Sequence, residues 1–181
     1  MNSQAPDRDI SIRELTADHF VTHVDDLASI LHAIVQSGAS VGFIQPFSLA
    51  DSRAFWQQAV LPPVDAGHHQ LLVATLDGRT VGTVQMVVHM RPNQVHRAEV
   101  SKLLVHPEFQ GHGIAKALME ELQRRAGEMG KRLLTLDTRT GDVAESLYRQ
   151  LGFVRAGVIP AYCRAPDEEV YDSTSYMYKI L

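Results

Sequence analysis

The most specific chemical feature of the sequence is the hexapeptide from Gln110 to Ala115, QGHGIA, which stands between a predicted strand and a predicted helix. Gly111 and Gly113 allow the backbone to turn tightly and to approach a ligand closely. The N–H groups in the first turn of a helix have no partner within the helix, and the helix dipole favours an anion there. The segment therefore predicts a site for a phosphate or diphosphate group, although an ordinary glycine-rich turn that caps a helix has the same sequence signature.

Two common phosphate-binding motifs do not fit this segment. The sequence lacks the GxxxxGK[ST] pattern of nucleotide-triphosphate loops. The dinucleotide fingerprint fits at Gly111 and Gly113, and Asp137 stands near the position of the ribose-binding acid. However, Lys116 occupies the third glycine position, and five residues separate the predicted strand from the first glycine. These departures disfavour a dinucleotide-dependent oxidoreductase.

Hydrophobic patterns predict the elements that position this segment. Apolar residues three or four positions apart predict helices, and alternation or short apolar runs predict strands. Asp77-Gly78 predicts a tight hairpin turn, and Pro62-Pro63 are expected to end the second helix. The predicted helices cover residues 16–37, 48–60, 111–129 and 142–151, and the predicted strands cover residues 10–15, 70–76, 80–89, 97–105, 132–138, 152–159 and 174–181.

This order of elements predicts an α+β (mixed α/β) fold. About four helices should flank one central, mostly antiparallel mixed sheet of about seven strands, with one βαβ crossover. A chain of 181 residues suits one domain. We therefore expect a flexible N-terminus at residues 1–9 and a single domain over residues 10–181.

Composition and charge exclude several classes of protein. The net charge of −4 disfavours nonspecific binding to nucleic acid, and no apolar run is long enough to span a membrane. The first nine residues lack the apolar segment of a secretory signal, so we expect a cytoplasmic protein. The single cysteine, Cys163, excludes an internal disulfide and a zinc site built on several thiolates. His68-His69 has no acidic neighbours and is typical of a solvated turn, so we predict no metal site.

Several segments of the sequence resemble those of a known protein family. The succession of a strand, a short loop, Gln110-x-x-Gly113-x-Ala115 and a helix resembles the acetyl-CoA signature of the GNAT superfamily of N-acetyltransferases. The segment from Ala144 through Tyr148 to Phe153 resembles the second motif of that superfamily. Local segments at residues 37–43, 97–103, 136–138 and 162–163 resemble the tabtoxin-resistance acetyltransferases, which are GNAT members that acylate a β-lactam toxin. Two departures are His112, where Arg or Lys is common, and Gly141, where many members have Asn.

The resemblance implies acetyl-CoA as the cosubstrate, with no metal, and assigns residues to its parts. It places the diphosphate on the loop amides and the pantetheine arm along the preceding strand. The implied cofactor-binding residues are Leu103, Leu104, Val105, Gln110, Gly111, His112, Gly113, Ile114, Ala115 and Lys116.

Three residues are candidates for the catalysis of acetyl transfer. Alternation places Glu99 on the same strand face as Leu103 and Val105, unless a bulge intervenes, and a carboxylate among apolar residues could serve as the base. Asp137 ends an apolar strand and resembles a second active-site acid of the family. Tyr148 resembles the family tyrosine that protonates the CoA thiolate. Each has an ordinary alternative: a solvent-facing or Arg97-paired Glu, a capping Asp and a core Tyr.

The acceptor side of the site is less defined by the sequence. The loop around Phe43 borders the acceptor in this family, so Phe43 is a candidate substrate contact, and Cys163 is expected near the substrate side as a packing residue. We expect transfer of acetyl to a primary amine of a small molecule, such as a toxin or antibiotic, by direct attack in a ternary complex. The alternatives are a peptide or protein N-acetyltransferase and a non-catalytic acyl-CoA-binding module. The family resemblance also allows a homodimer.

Overall fold

The computed structural model describes residues 10–181, which form one seven-stranded mixed sheet with helices on both faces. The predicted flexible terminus at residues 1–9 lies outside the described residues. The strands are β1 (Ser11–Glu14), β2 (His69–Leu76), β3 (Arg79–Val87), β4 (Arg97–Val105), β5 (Leu133–Arg139), β6 (Val154–Arg164) and β7 (Tyr171–Ile180). The helices are α1 (Ala17–Gln36), α2 (Leu49–Phe55), α3 (Leu61–Asp65), α4 (Ile114–Glu128) and α5 (Val143–Gln150).

The topology confirms the predicted α+β fold. The strand order is β1-β2-β3-β4-β5-β7-β6, in which only β4 and β5 pair in parallel. Helix α4 connects these two strands and makes the predicted βαβ crossover. Asp77 and Gly78 both have positive φ, as a tight hairpin between β2 and β3 requires. A π-helical turn joins α2 to α3, so four helical segments flank the sheet.

Both faces of the sheet are buried under helices, and alternate strand residues contribute hydrophobic side chains to the two faces. In β2, Leu72 and Ala74 pack with α4 and α5, whereas Leu71 and Val73 pack with α1 and the segment from α2 to α3. Full burial of each leucine side chain contributes about 2 kcal/mol relative to exposure. The sheet is therefore held rigidly between two hydrophobic layers. Within the described residues, no helix has both the length and the apolar character that a membrane span needs.

Two predicted element ends are wrong, and both involve proline. Pro62 and Pro63 lie in the first turn of α3 instead of ending the helix, and the absence of their N–H groups is tolerated there. The strand predicted to end at Ile159 continues as β6 to Arg164. Because β6 is an edge strand, Pro160 can stand in it without breaking a ladder on both sides.

A β-bulge in β4 shapes the centre of the molecule. Ser101 pairs with Gln85 and Leu104 pairs with Thr83, so two residues of β4 lie opposite one residue of β3. Lys102, inside the bulge, has a φ of +51°. In addition, β4 pairs with β5 only from Arg97 to Glu99. The two strands therefore separate beyond that point.

Candidate active site

A cleft of about 980 Å³ lies where β4 and β5 separate. One side is formed by the loop that follows α1, and the other by the glycine loop and α5. The residues that line the cleft lie within the ranges 34–44, 100–105, 109–116, 137–150 and 162–174. The fold thus brings together segments that are far apart in the sequence.

The glycine loop forms an open cradle at one end of this cleft. Gly111 has a φ of +80° and Gly113 a φ of +78°, conformations that glycine adopts at little cost. A Cβ atom built on either residue would meet no protein atom within 4 Å. Gly113 precedes the first turn of α4, and no side chain caps that turn. The N–H groups of the turn are therefore available to an anionic ligand.

Two polar side chains of the loop fix its conformation. The Gln110 side-chain amide donates a hydrogen bond of 3.0 Å to the carbonyl oxygen of Val105, which fastens the loop to the end of β4. The Nδ1 atom of His112 lies 2.9 Å from the carbonyl oxygen of Gln110. The His112 side chain is exposed and does not line the cleft. In this structure its ring therefore stabilises the loop instead of facing the predicted ligand.

Asp137 and Tyr148 line the same cleft from different elements. Asp137 lies near the carboxyl end of β5, and Tyr148 lies on α5, where it is 7% exposed. Burial, with a further contribution from Asp137 and Asp142, raises the pKa of the Tyr148 phenol well above its ordinary range. Tyr148 is therefore a protonated hydroxyl group at neutral pH, next to a cleft and close to a carboxylate.

The bulge in β4 reverses the side-chain alternation between Glu99 and Val105. Ala98 and Val100 pack into the same core layer as Val105, so Glu99 lies on the opposite face of β4. Its carboxylate is 48% exposed and lies 3.8 Å from the guanidinium of Arg97. Glu99 does not line the cleft. The Arg97-paired alternative therefore describes Glu99 as the structure has it.

The cleft wall formed by β6 and the loop after α1 carries hydroxyl and thiol groups. Tyr162 lies in the wall, and its hydroxyl oxygen is 2.7 Å from that of Tyr176 in β7. This hydrogen bond raises the pKa of Tyr176 to about 12, with smaller contributions that include Asp137. The Cys163 thiol, on the wall as expected, lies 3.3 Å from the Ser40 hydroxyl. Tyr176 pairs with Asp137 in the register of β5 and β7.

Lys102 is a cleft residue that the sequence alone does not identify. Its ammonium group donates a hydrogen bond of 2.8 Å to the carbonyl oxygen of Val41, and it lies 5.4 Å from the ring centre of Phe43. Burial lowers the pKa of Lys102, while Asp137 acts in the opposite direction. Strict alternation in this strand places Lys102 on the face of Ala98 and Val100, which gives no sign of a charged site residue.

The structure therefore gathers most of the predicted site residues and leaves two outside. The predicted residues that line the cleft are Phe43, Leu103, Leu104, Val105, Gln110, Gly111, Gly113, Ile114, Ala115, Lys116, Asp137 and Tyr148. Those that do not are Glu99 and His112. Residues 10–181 contain no group of three or more His, Cys, Asp or Glu side chains that could hold a metal ion.

Comparisons with known proteins agree with this geometry. The sequence profile of the family described as "Acetyltransferase (GNAT) domain" matches residues 67–155, which include β4, the glycine loop and α5. The fold is similar to an N-acetyltransferase from Staphylococcus aureus Mu50, with a TM-score of 0.76 and 17% identity, over 95% of this chain and 98% of that chain.

Two further structures are similar over almost the whole chain. A ribosomal-protein-alanine N-acetyltransferase from Brucella melitensis has a TM-score of 0.75 and 22% identity, over 94% of this chain and 99% of that chain. A GNAT superfamily phosphinothricin acetyltransferase from Sinorhizobium meliloti, in complex with acetyl-CoA, has a TM-score of 0.76 and 22% identity, over 95% of this chain and 88% of that chain. Residues 67–155 thus match the acetyltransferase (GNAT) domain, and the fold of residues 10–181 is similar to that of these acetyltransferases.

Proposed function

We propose that this protein transfers the acetyl group of acetyl-CoA to a primary amine of a small molecule, with Asp137 as the base and Tyr148 as the acid. The observation that carries this proposal is that one cleft is lined by the glycine cradle, by Asp137 and by the hydroxyl-bearing Tyr148. Retention of a carboxylate and a protonated phenol in that cleft favours an enzyme over a module that only binds acyl-CoA.

The cradle residues suit the cosubstrate. Open space at Gly111 and Gly113 and the uncapped first turn of α4 provide amide N–H groups for a diphosphate. Leu103 to Val105 would lie along the pantetheine arm. When bound, acetyl-CoA supplies an activated thioester. Lys116 adds one exposed cation, which is partly neutralised by Glu120 at 3.8 Å.

The two candidate catalytic residues divide the proton transfers between them. An amine acceptor is protonated at neutral pH and must lose a proton before its nitrogen can attack, and the carboxylate of Asp137 accepts that proton. The nitrogen then forms a bond to the acetyl carbonyl carbon while the carbon–sulfur bond breaks, and the nitrogen releases its second proton to solvent. The departing thiolate needs a proton, and Tyr148, which remains protonated at neutral pH, donates it. Glu99, whose carboxylate acts through space on Tyr176 together with that of Asp137, is the second candidate for the base.

For the acceptor, we propose a small-molecule toxin or antibiotic. The similar phosphinothricin acetyltransferase, by its name, acetylates a small molecule, and the local resemblance to tabtoxin-resistance enzymes favours a toxin or antibiotic. A peptide terminus is the second candidate, favoured by the similarity to the ribosomal-protein-alanine N-acetyltransferase. A homodimer and a cytoplasmic location stay predictions.

An acceptor screen tests the proposal. CoA release is measured at saturating acetyl-CoA with small amines, phosphinothricin, a β-lactam amine and peptides that begin with Ala or Ser, and products are identified by the mass gain of one acetyl group. We expect amine-dependent CoA release with at least one small molecule and a lower rate with peptides. Preference for peptides would favour the second candidate. Acetyl-CoA binding without acetylation of any amine would favour the non-catalytic module.

A further inference from the structure

The acceptor side of the cleft holds a cation without a counter-ion. Four cationic side chains among residues 10–181 line the cleft: Lys102, Lys116, Arg139 and Arg164. The last three pair with carboxylates at 3.8 Å or less: Lys116 with Glu120, Arg139 with Asp142 and Asp172, and Arg164 with Glu169. Lys102 forms no such pair with any described residue.

The surroundings of the Lys102 ammonium group do not neutralise its charge. One of its three N–H donors is used by the Val41 carbonyl oxygen. The rings of Phe43 and Phe55, with centres at 5.4 and 5.5 Å, attract the cation through their faces but carry no net charge. Asp137 acts on Lys102 through space without forming an ion pair. A partly buried ammonium without a counter-ion is costly for the folded protein.

An anionic group of a bound ligand would offset the cost of burying the Lys102 ammonium group without a counter-ion. The hydrogen bond to the Val41 carbonyl oxygen uses one N–H donor and does not by itself require a charged side chain. The bulge at Lys102, with its left-handed backbone, brings the ammonium group to the cleft beside Asp137 and Phe43. The two opposite charges thus stand near each other on the acceptor side.

We propose that Lys102 binds an oxyanion group of the acceptor, so that the acceptor carries both an amine and a carboxylate or a phosphinate. The amine meets Asp137, and the anion meets the ammonium group of Lys102. This inference rests on the proposed function and specifies its substrate class. Lys102 is then a specificity-determining residue that contacts the substrate and takes no part in proton transfer.

Matched pairs of acceptors test this inference. The probes are L-phenylalanine with phenethylamine and L-lysine with cadaverine, and in each pair only the first member carries a carboxylate. We expect the wild-type protein to prefer the member with the intact anion by about tenfold or more in kcat/KM, the usual size of a charge-assisted hydrogen bond. Lys102→Met should remove that preference, and Lys102→Arg should retain most of it.

A second buried lysine serves as the matched control. The Lys131 ammonium group donates to the carbonyl oxygens of Val88 and Val95 and does not line the cleft. Lys131→Met should leave the acceptor preference unchanged. If Lys102→Met lowers kcat/KM equally for both members of each pair, Lys102 only supports the loop and the inference is overturned. If the wild type uses both members of each pair equally well, the inference is also overturned, while the proposed function stands.

A binding measurement separates this inference from the proposed function. Calorimetry of the CoA-bound protein compares N-acetyl-L-phenylalanine with N-acetylphenethylamine in the wild type and in Lys102→Met. If the wild type binds the carboxylate compound more tightly and Lys102→Met does not, the anion site is supported. This result would support the anion site even if the absence of amine acetylation had refuted the proposed function. Equal binding of the two compounds overturns the anion site.

Discussion

The hydroxyl oxygens of Tyr162 and Tyr176 lie 2.7 Å apart across β6 and β7, with the two rings perpendicular to each other. The hydrogen bond between the two hydroxyl groups is the main reason that the pKa of Tyr176 is raised to about 12. We expect Tyr162→Phe to return the pKa of Tyr176 towards the ordinary value of about 10. Ultraviolet absorbance titration of tyrosinate measures this change. The step near pH 12 should be absent in Tyr176→Phe, and its persistence in Tyr162→Phe would refute the hydrogen bond.

Substitution at Gly113 tests the anion cradle. We expect Gly113→Ala to weaken acetyl-CoA binding about tenfold or more, because the new methyl group enters the space in front of the α4 amides. Calorimetric titration with acetyl-CoA measures the change. Gly130→Ala is the matched control, since Gly130 also has positive φ and open space around it but lies at the other end of α4. Equal affinity in the two variants would contradict the cradle.

The role of Tyr148 has a signature in the pH profile. Tyr148→Phe should lower kcat by about a hundredfold, with little change in the KM for acetyl-CoA. Because the pKa of Tyr148 is raised, its phenol stays protonated through the alkaline range. Ionisation of Tyr148 should therefore not lower the kcat of the wild type between about pH 8 and pH 10. Over this range, the pH profiles of kcat for the wild type and for Tyr148→Phe should have the same shape. An unchanged kcat in Tyr148→Phe would exclude this residue from the mechanism.

Glu145 is a stability determinant beside the cleft. Its buried carboxylate accepts a hydrogen bond of 2.7 Å from the Gly141 N–H and one of 2.5 Å from Arg149. The first contact is the main reason that the pKa of Glu145 is lowered. We expect Glu145→Gln to reduce the free energy of unfolding at pH 7 by about 1–3 kcal/mol.

The pH dependence of that loss follows from the direction of the pKa shift. A lowered pKa in the folded state stabilises the protein above the unfolded pKa of about 4.3, and this contribution disappears as the pH falls through the folded pKa. Urea unfolding at pH 7 and at pH 3 should therefore show a smaller difference between wild type and Glu145→Gln at the lower pH. Glu128→Gln, which changes an exposed ion pair with Arg124, should alter stability by less than about 0.5 kcal/mol. A loss of that small size in Glu145→Gln would contradict the role of Glu145.

The sequence predicts the fold well because its signals are local and repeated. The apolar stripes of α1 and α4, and the Asp77-Gly78 turn, depend on neighbours within a few residues. The glycine loop is predicted for the same reason, since a strand, two glycines and a helix are contiguous. The element ends near Pro62 and Pro160 are not predicted correctly. The effect of a proline depends on whether it stands in the first turn of a helix or on an edge strand, which local sequence does not reveal.

The bulge in β4 explains most of what the sequence could not predict about the site. One extra residue reverses the alternation after Ser101, so that Glu99 and Val105 lie on opposite faces of β4. No residue at this point is a glycine or a proline that would indicate a bulge. The His112 ring turns back onto its own loop through a contact with a backbone carbonyl, which no spacing pattern encodes.

In the proposed mechanism, an amine loses its proton to Asp137 inside this cleft. The most direct measurement is the rate of CoA release in Asp137→Asn, with saturating acetyl-CoA and an acceptor identified by the screen. We predict a loss of about a hundredfold in kcat/KM for the amine with unchanged acetyl-CoA affinity, and less than about a tenfold loss in Glu99→Gln. Wild-type rates in Asp137→Asn, or the large loss in Glu99→Gln instead, would contradict the account.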